Sequence, residues 1–591
     1  MGRWGIGTQK DIPYTQDGDA FFKGIDMLHD PSIVPPGYLC KSENKRLREG
    51  PAARRRGTLQ PGDFNPVFSN IFIGSGIFNN PNGDQVMLVA ELDQTYVWAF
   101  QFGKDPVQID LDVGQVTGTA PGGLVEFVQA FDKVLMLRFP SGAPLVWDGD
   151  NTSTFDPVTL VAPGATLIPT KFFGIPYKNR IVLYNPYWAA DPDTIIITDI
   201  NNYSSYDNVY GSIRINAGES DVITSVQPYF EDALIIYKKQ SVHMLENFTQ
   251  PLADGNGSGQ QRMLNNRIGG VSVHLPILAG RDAIFASEPG GFYRVSEIIQ
   301  NQIATQPVPI SRLIQPVIDQ IDWLRMRWWG CSELLGDYAF FGITRKNIGT
   351  TGLIPGCDAL LVYNIVTGEW ESAPDTRGDP SFLINALHVT LYDGAQRLFA
   401  LDYQNQTINL LEEGVEDEIN GDSIPIHDVM RTRGYTAGDP AGFKRFQRAV
   451  IGVRTYDPQA SVRAISDGYN EVKELATITK DRTKYYIHGQ SDYDPETGDA
   501  DAPKRQDYSI AGDFELFAVE DFEEFPVGPI DFLPPTGINQ GGPMQQSLER
   551  FQIRQNGRYC QIEVESDSGQ CDVLGVGIEA IPAQEGIKVV A

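Results

Sequence analysis

Cysteine is scarce in this chain: Cys40, Cys331, Cys357, Cys560 and Cys571 are spread over 591 positions. They are odd in number, form no CxxC and have no histidine at zinc spacing. That excludes a disulfide framework and a zinc module, and fits reduced thiols in a protein assembled in the cytoplasm. Histidine is nearly as rare, at positions 29, 243, 274, 388, 427 and 488, so HxxxH and HExxH are both missing. Each lone His is expected to pack in its own element, because a catalytic site needs convergent partners. No apolar run approaches the ~18 residues of a membrane span. The N-terminus, MGRWGIGTQKDIPYTQ, lacks the apolar stretch of a signal peptide, so the expectation is a soluble, non-secreted protein without a membrane span. Positive charge is in deficit too: 47 Lys and Arg against 76 Asp and Glu leave a formal charge of −29. A general attraction for phosphate backbones is thereby excluded.

What is abundant is glycine (59), proline (39) and a 10% share of aromatics, the composition of short strands joined by tight turns. The strands recur. Apolar segments broken by polar turns run through 86–100, 124–150, 172–185, 223–247, 276–295, 326–345 and 384–411. Their starts are about 40–55 residues apart, the period of four-stranded propeller blades. Alternation such as Ser241-Val242-His243-Met244-Leu245 supports strands. The fold class expected is all-β: a β-propeller of about seven blades, with six or eight allowed by the same spacing. Successive hairpins in sandwiches are the alternative. No WD or kelch signature appears, so the period itself carries the assignment.

The predicted organisation is an extended N-terminal arm with a docking segment (1–70), a propeller (71–415) and a β-sandwich-like C-terminal domain (416–591). The boundary is placed at the acidic stretch EEGVEDEINGD (412–422). In the last domain 429–472 should pair with 548–581, with Asn556-Gly557 and Ser568-Gly569 as hairpin turns. Residues 491–525 hold twelve acids and two bases and read as a long exposed loop.

Motifs for chemistry are few. GxSxG, Walker A and dinucleotide fingerprints are missing, and GSGIF (74–78) lacks the Lys and Ser/Thr of a phosphate loop. The sialidase Asp-box SxDxGxTW is not found, although paired carboxylates for glycoside cleavage can come from any two blades. Asp148, Asp150 and Asn151 in WDGDNTS offer oxygen ligands for a cation but lack a full calcium loop, and read as a polar blade turn. Trp328-Trp329 with Arg325 and Arg327 read as core filling within a strand period rather than as a base-stacking platform. The expectation is therefore a non-enzyme without cofactor or metal.

Charge is unevenly placed. Residues 41–56 carry seven basic and two acidic side chains. Lys45, Arg46, Arg48, Arg54, Arg55 and Arg56 are the candidates for docking onto a neighbouring subunit, since guanidinium groups suit carboxylates bidentately. The candidates for an acidic lumen or rim are Glu412, Glu413, Glu416, Asp417, Glu418, Glu520, Asp521, Glu523 and Glu524.

The stretch GIDMLHDPSIVPPGYLCKSENKRLREGPAARRRG (24–57) resembles the N-terminal segment of tail nozzle, or tail tubular, proteins of short-tailed phages, including those described as packaged-DNA stabilisation proteins. RIGGVSVHLPILAGRDAIFAS (267–287), PISRLIQPVID (309–319) and LLVYNIVTGEWES (360–372) are similar to their propeller segments. MRTRGY (430–435) and FQIRQNGRYCQIEVES (551–566) are similar to their closing β domain. The resemblance is patchy but extends over most of the chain, and loop 491–525 has no counterpart in it. It implies a virion tail protein assembled in the host cytoplasm: a homo-hexameric ring below portal and adaptor proteins. Such a ring carries tail fibres or spikes, and double-stranded DNA passes through without specific binding. An acidic lumen would let DNA slide. The competing expectations are a trimeric receptor-binding or glycan-degrading tail propeller, and a minor tail or baseplate connector.

Overall fold

The structure, a computed structural model, describes residues 15–479 and 545–582, apart from 48–49, 65, 67, 113–123, 140–141, 160–165, 170–172, 187–191, 208–210, 217–220, 231–232, 248–258, 289, 301–306, 347–355, 379 and 468–471. Loop 491–525 lies outside the described residues.

Seven sheets follow one another as the blades of a propeller. Their innermost strands are Phe72–Asn79, Leu124–Ala130, Phe173–Tyr177, Ile223–Tyr229, Ile277–Ala279, Ser332–Leu335 and Ile384–Tyr392, in blades 1 to 7. The second strand of each blade is apolar at nearly every position because both of its faces are buried, one against each neighbouring blade. In blade 2, Val134 and Met136 pack towards blade 1 while Leu135 and Leu137 pack towards blade 3. Blade 4 repeats this with Leu234 and Ile236 against Ile235 and Tyr237, and blade 7 with Leu398 and Ala400 against Phe399 and Leu401. A separate apolar cluster fills each of the seven junctions. The ring is held by these interfaces rather than by one central core.

Closure uses both ends of the ring. Thr58–Leu59 pairs antiparallel with Thr407–Leu411 and parallel with Asp417, so blade 7 is completed by a strand that precedes blade 1. Phe64 then stacks between Phe100 of blade 1 and Phe399 of blade 7, with ring centroids 5.5 and 5.2 Å apart. Blade 7 continues through Asp417–Ile419 and Asp422–Ile424. The propeller therefore reaches residue 424, and the acidic stretch expected as a boundary is the outer edge of its last blade.

Blade 5 has three strands, followed by the helix Val295–Gln300. The Trp328-Trp329 pair belongs to the helix Trp323–Trp329, not to a strand, and Asp322 caps it by accepting a hydrogen bond from the Arg325 amide. The turn at Asp148–Asp150 is internally bonded: Asp148 accepts from the Asp150 amide and the Ser153 hydroxyl, and Asp150 accepts from the Thr152 amide.

The second unit is an eight-stranded sheet built on two 23-residue strands, Lys444–Ser466 and Cys560–Pro582. Gly557 pairs with Lys444, and Cys560 pairs with Ser466. Three residues span only ~10 Å, so the long strand must bend back on itself. The bends fall at register shifts between Phe446 and Arg448, Gly452 and Val453, and Tyr456 and Gln459. Two layers result, with Ile451, Val453, Val462, Ile562, Val564 and Val573 between them. The expected pairing of 429–472 with 548–581 is present. The expected hairpins are not: Asn556-Gly557 ends a strand whose partner is Lys444–Thr455, and Gly569, at φ +63°, sits where the strand Cys560–Pro582 changes layer. The arm joins this sheet, with Thr15–Asp19 on Val576–Ala580 and Tyr38–Glu43 on Asp428–Thr432. Among the described residues no helix is long and apolar enough to cross a membrane.

Because Phe399 is fully buried at the junction that closes the ring, Phe399→Ala should cost about 3–5 kcal/mol. The expected readout is a lowered urea midpoint for the propeller, with the CD spectrum of the folded protein retained.

Candidate functional site

Two places concentrate polar chemistry: the basic segment of the arm and the axis of the propeller.

The arm leaves the second sheet at Glu43, forms a short pair of strands (Lys45–Arg46 with Ala53–Arg54) and enters blade 7 at Thr58. Four of its cations, Lys45, Arg46, Arg54 and Arg55, are buried. Lys45, wholly buried, lies 2.5 Å from Asp428 of the second sheet and donates to the Cys571 carbonyl at 3.0 Å. Arg46 pairs with Asp375 of blade 6 at 2.7 Å and with Glu412 of blade 7. Arg55 grips Asp417 bidentately at 2.8 and 2.6 Å and reaches Asp375 at 3.4 Å. Arg54 donates to the carbonyls of Val415 and Gly569, one in each unit. Arg377 stands 3.7 Å from Asp375; burial first, and repulsion by Arg55 second, lower its pKa to about 10. Full burial would raise the Asp375 carboxyl, but Arg46, Arg377 and Arg55 together hold it below the usual carboxylate range. Neutral partners complete the strap: Asn44 donates to the His427 carbonyl at 2.7 Å and accepts from the Thr376 amide at 2.8 Å.

This placement corrects the docking expectation. Lys45, Arg46, Arg54 and Arg55 are buried within their own chain and tie its propeller to its second sheet, so they are not free to dock a neighbour. Desolvated charges are tolerated only with partners at such distances, and each of these already has them. Arg56 is the exposed one, with 55% of its side chain accessible and Glu413 at 3.9 Å. Arg48 lies outside the described residues. The acidic rim changes in the same way. Glu412 and Asp417 are interior partners of Arg46 and Arg55 rather than rim groups, Glu413 pairs with Arg397, and Glu416 accepts from Ser423. Glu418 is half-buried, and Glu520, Asp521, Glu523 and Glu524 lie outside the described residues.

On the axis the inner strands line a partly open cavity of about 620 Å³. GSGIF forms part of its wall: a Cβ at Gly74 would lie 2.0 Å from the Val125 carbonyl oxygen, and one at Gly76 would lie 2.7 Å from the Phe127 Cβ. These glycines let blades 1 and 2 approach closely. Residues that sequence spacing kept apart meet here. Glu126 of blade 2 lies 3.4 Å from Nε2 of His274, and Ser75 of blade 1 shares a 2.7 Å hydrogen bond with Nε2 of His388 of blade 7. Glu333 of blade 6 also faces the cavity. About half of the His274 side chain is accessible on the cavity side, and Phe173 stands edge-on to it at 5.7 Å.

Desolvation therefore pushes every one of these groups towards its neutral form. Burial raises Glu126 to about 8 and Glu333 to about 7. It lowers His274 to about 4, and burial aided by His274 lowers His388 to about 4. Sequence reading missed the cluster because its members sit on four inner strands and a connecting loop, and only ring closure brings residue 75 to residue 388. Elsewhere, His427, Glu565 and Asp567 form an exposed group within 4.8 Å of one another.

No family model and no curated protein matches this chain. Solved structures to which it is distantly similar include Raptor of Chaetomium thermophilum (11% identity, TM-score 0.32, 62% of this chain and 29% of that one). Another is the extracellular domain of a hybrid two-component system of B. thetaiotaomicron (11%, 0.36, 72% and 49%). A third is an ancestral GH74 enzyme (9%, 0.35, 63% and 50%). The chain thus spans half or less of each of these proteins, and none of these likenesses carries an argument about what it does.

Two predictions separate strap from surface. Arg55→Met leaves Asp417 without its bidentate partner and should cost about 3–5 kcal/mol in denaturant unfolding, whereas Arg56→Glu should stay within about 0.5 kcal/mol. The cavity predicts a pH dependence. Glu126 and Glu333 keep protons up to about 8 and about 7, against 4.5 for ordinary glutamate, so the folded chain binds more protons in that interval and loses stability as pH rises through it. His274 and His388 act in the opposite sense between about 4 and 6.5. The decline should therefore emerge in urea midpoints from pH 6.5 to 8, and should shrink in Glu126→Gln.

Proposed function

We propose that this chain is a non-catalytic structural subunit of the tail of a short-tailed phage. Six copies form a ring about the DNA path beneath the portal and adaptor, retaining packaged DNA, guiding its ejection and carrying fibres or spikes. The observation that carries this reading is the buried strap. A subunit under mechanical load from packaged DNA gains from two β units locked by interior ion pairs rather than joined by a flexible linker. The resemblance of residues 24–57 to the nozzle proteins falls on that same strap. The charge of −29 is in keeping with a wall along which DNA slides. A cavity of about 620 Å³ is of small-ligand size, so on this reading DNA runs between subunits and not through a propeller.

A second reading, a glycan-cleaving tail propeller, is favoured by one feature, the two carboxyl groups of Glu126 and Glu333 in one cavity. Copy number and position distinguish the two. Electron microscopy of the virion with native mass measurement of the assembled protein should give six copies on the tail axis. Peripheral trimers that release reducing ends from host polysaccharide would replace the structural reading with the second one.

A further inference from the structure

We propose that the axial cavity of the propeller is a binding site for a small organic cation, a primary ammonium compound. The inference is independent of the tail reading.

It starts from a contrast between two sets of carboxylates in one chain, the buried ones of the strap and the half-buried pair lining the cavity. In the strap, Asp375, Asp417 and Asp428 each have Arg or Lys within ion-pair distance. In the cavity, Glu126 has only the imidazole of His274, and Glu333 bonds to backbone amides, including that of Leu334 at 3.0 Å. Neither has a Lys or Arg partner among the described residues. A carboxyl group left in this state holds a proton in place of a counter-ion. An ammonium group entering the cavity supplies that counter-ion.

The remaining walls suit the same guest. A neutral imidazole at His274 or His388 whose Nε2 donates to Glu126 or Ser75 leaves Nδ1 as an acceptor for an N–H donor. Phe173 offers a ring to a cation or to the methylene groups beside it. The charge of −29 draws cations towards any opening in the surface. A bare metal ion fits less well: among the described residues the three-ligand group close enough for one is His427, Glu565 and Asp567, outside the cavity. Arg327, on the helix Trp323–Trp329, is the cationic side chain among the lining residues; together with His274, His388, Tyr184 and Cys331 it completes the titratable groups around the two carboxyls.

The site has a signature that needs no variant. Near neutral pH both glutamates are at least partly protonated, so binding an ammonium group must expel protons to the buffer. The test is isothermal titration calorimetry of the full chain with putrescine at pH 7 and fixed ionic strength, in phosphate and in PIPES, whose ionisation heats differ. Saturable binding with net proton release is expected, weakened at least about tenfold in Glu126→Gln and in Glu333→Gln. Arabinose, acetate and Mg²⁺ should not bind. Three results would each overturn the proposal: no saturable heat up to about 10 mM putrescine, binding without proton release, or undiminished binding in a double Gln variant whose CD spectrum shows it folded.

Discussion

Asp375 stands at the end of a blade 6 strand with Arg46 at 2.7 Å, Arg55 at 3.4 Å and Arg377 at 3.7 Å. Two of those arginines come from the arm, and the arm also supplies Lys45 to the second sheet and Thr58–Leu59 to blade 7. The position of one carboxylate thus sets the path of the segment on which both ring closure and the joining of the two units depend. Ion pairs of this kind give little net stability over well-packed apolar groups, but they are intolerant of misplacement, because a charge left unpaired in the interior is costly. Their contribution is to register. An apolar arm could slide along the groove between the units; an arm that must bring three buried cations to four carboxylates has one seating.

How much of this was legible in the sequence follows from what each feature asks of its neighbours. The second strand of every blade is buried on both faces, so it reads as an apolar run, and seven such runs at a regular interval made the propeller visible. The innermost strand of blade 1 hid because Gly74, Ser75 and Gly76 were selected for close approach to blade 2 and not for hydrophobicity. Thr58–Leu59 hid because two residues carry no period. The two Asx-Gly and Ser-Gly signals marked changes of direction correctly but not the strand partners, which are set by how a 23-residue strand bends around its core. The helix Trp323–Trp329 was concealed by aromatic residues that score as strand formers.

The site was less legible than the fold, for a related reason. A run of lysine and arginine looks the same whether solvent or carboxylates surround it. The partners of Arg46 and Arg55 lie more than three hundred positions away, and only the closed ring brings them near. The same closure turns scattered histidines and glutamates into the lining of one cavity. Lone polar residues on inner strands of a propeller deserve weight for that reason: seven inner strands converge on a single axis, so residues without any local motif become neighbours there.

The strap and the cavity are two answers to the cost of a buried carboxylate. In the strap the answer is an internal cation, which keeps Asp375 and Asp417 ionised despite burial. In the cavity it is a proton, which Glu126 and Glu333 retain to about 8 and about 7. The difference matters mechanically. An internal cation makes a permanent lock, suited to the seam between two units that must move together. A proton can be exchanged for something else without moving the backbone, so the axis is the part of the molecule where the state of charge can respond to what is dissolved around it. A chain that already carries a formal charge of −29 has no need of two more carboxyls on its axis for solubility. Their position, half-buried on the axis beside two imidazoles and without a cation of their own, is costly unless something entering that space makes use of them.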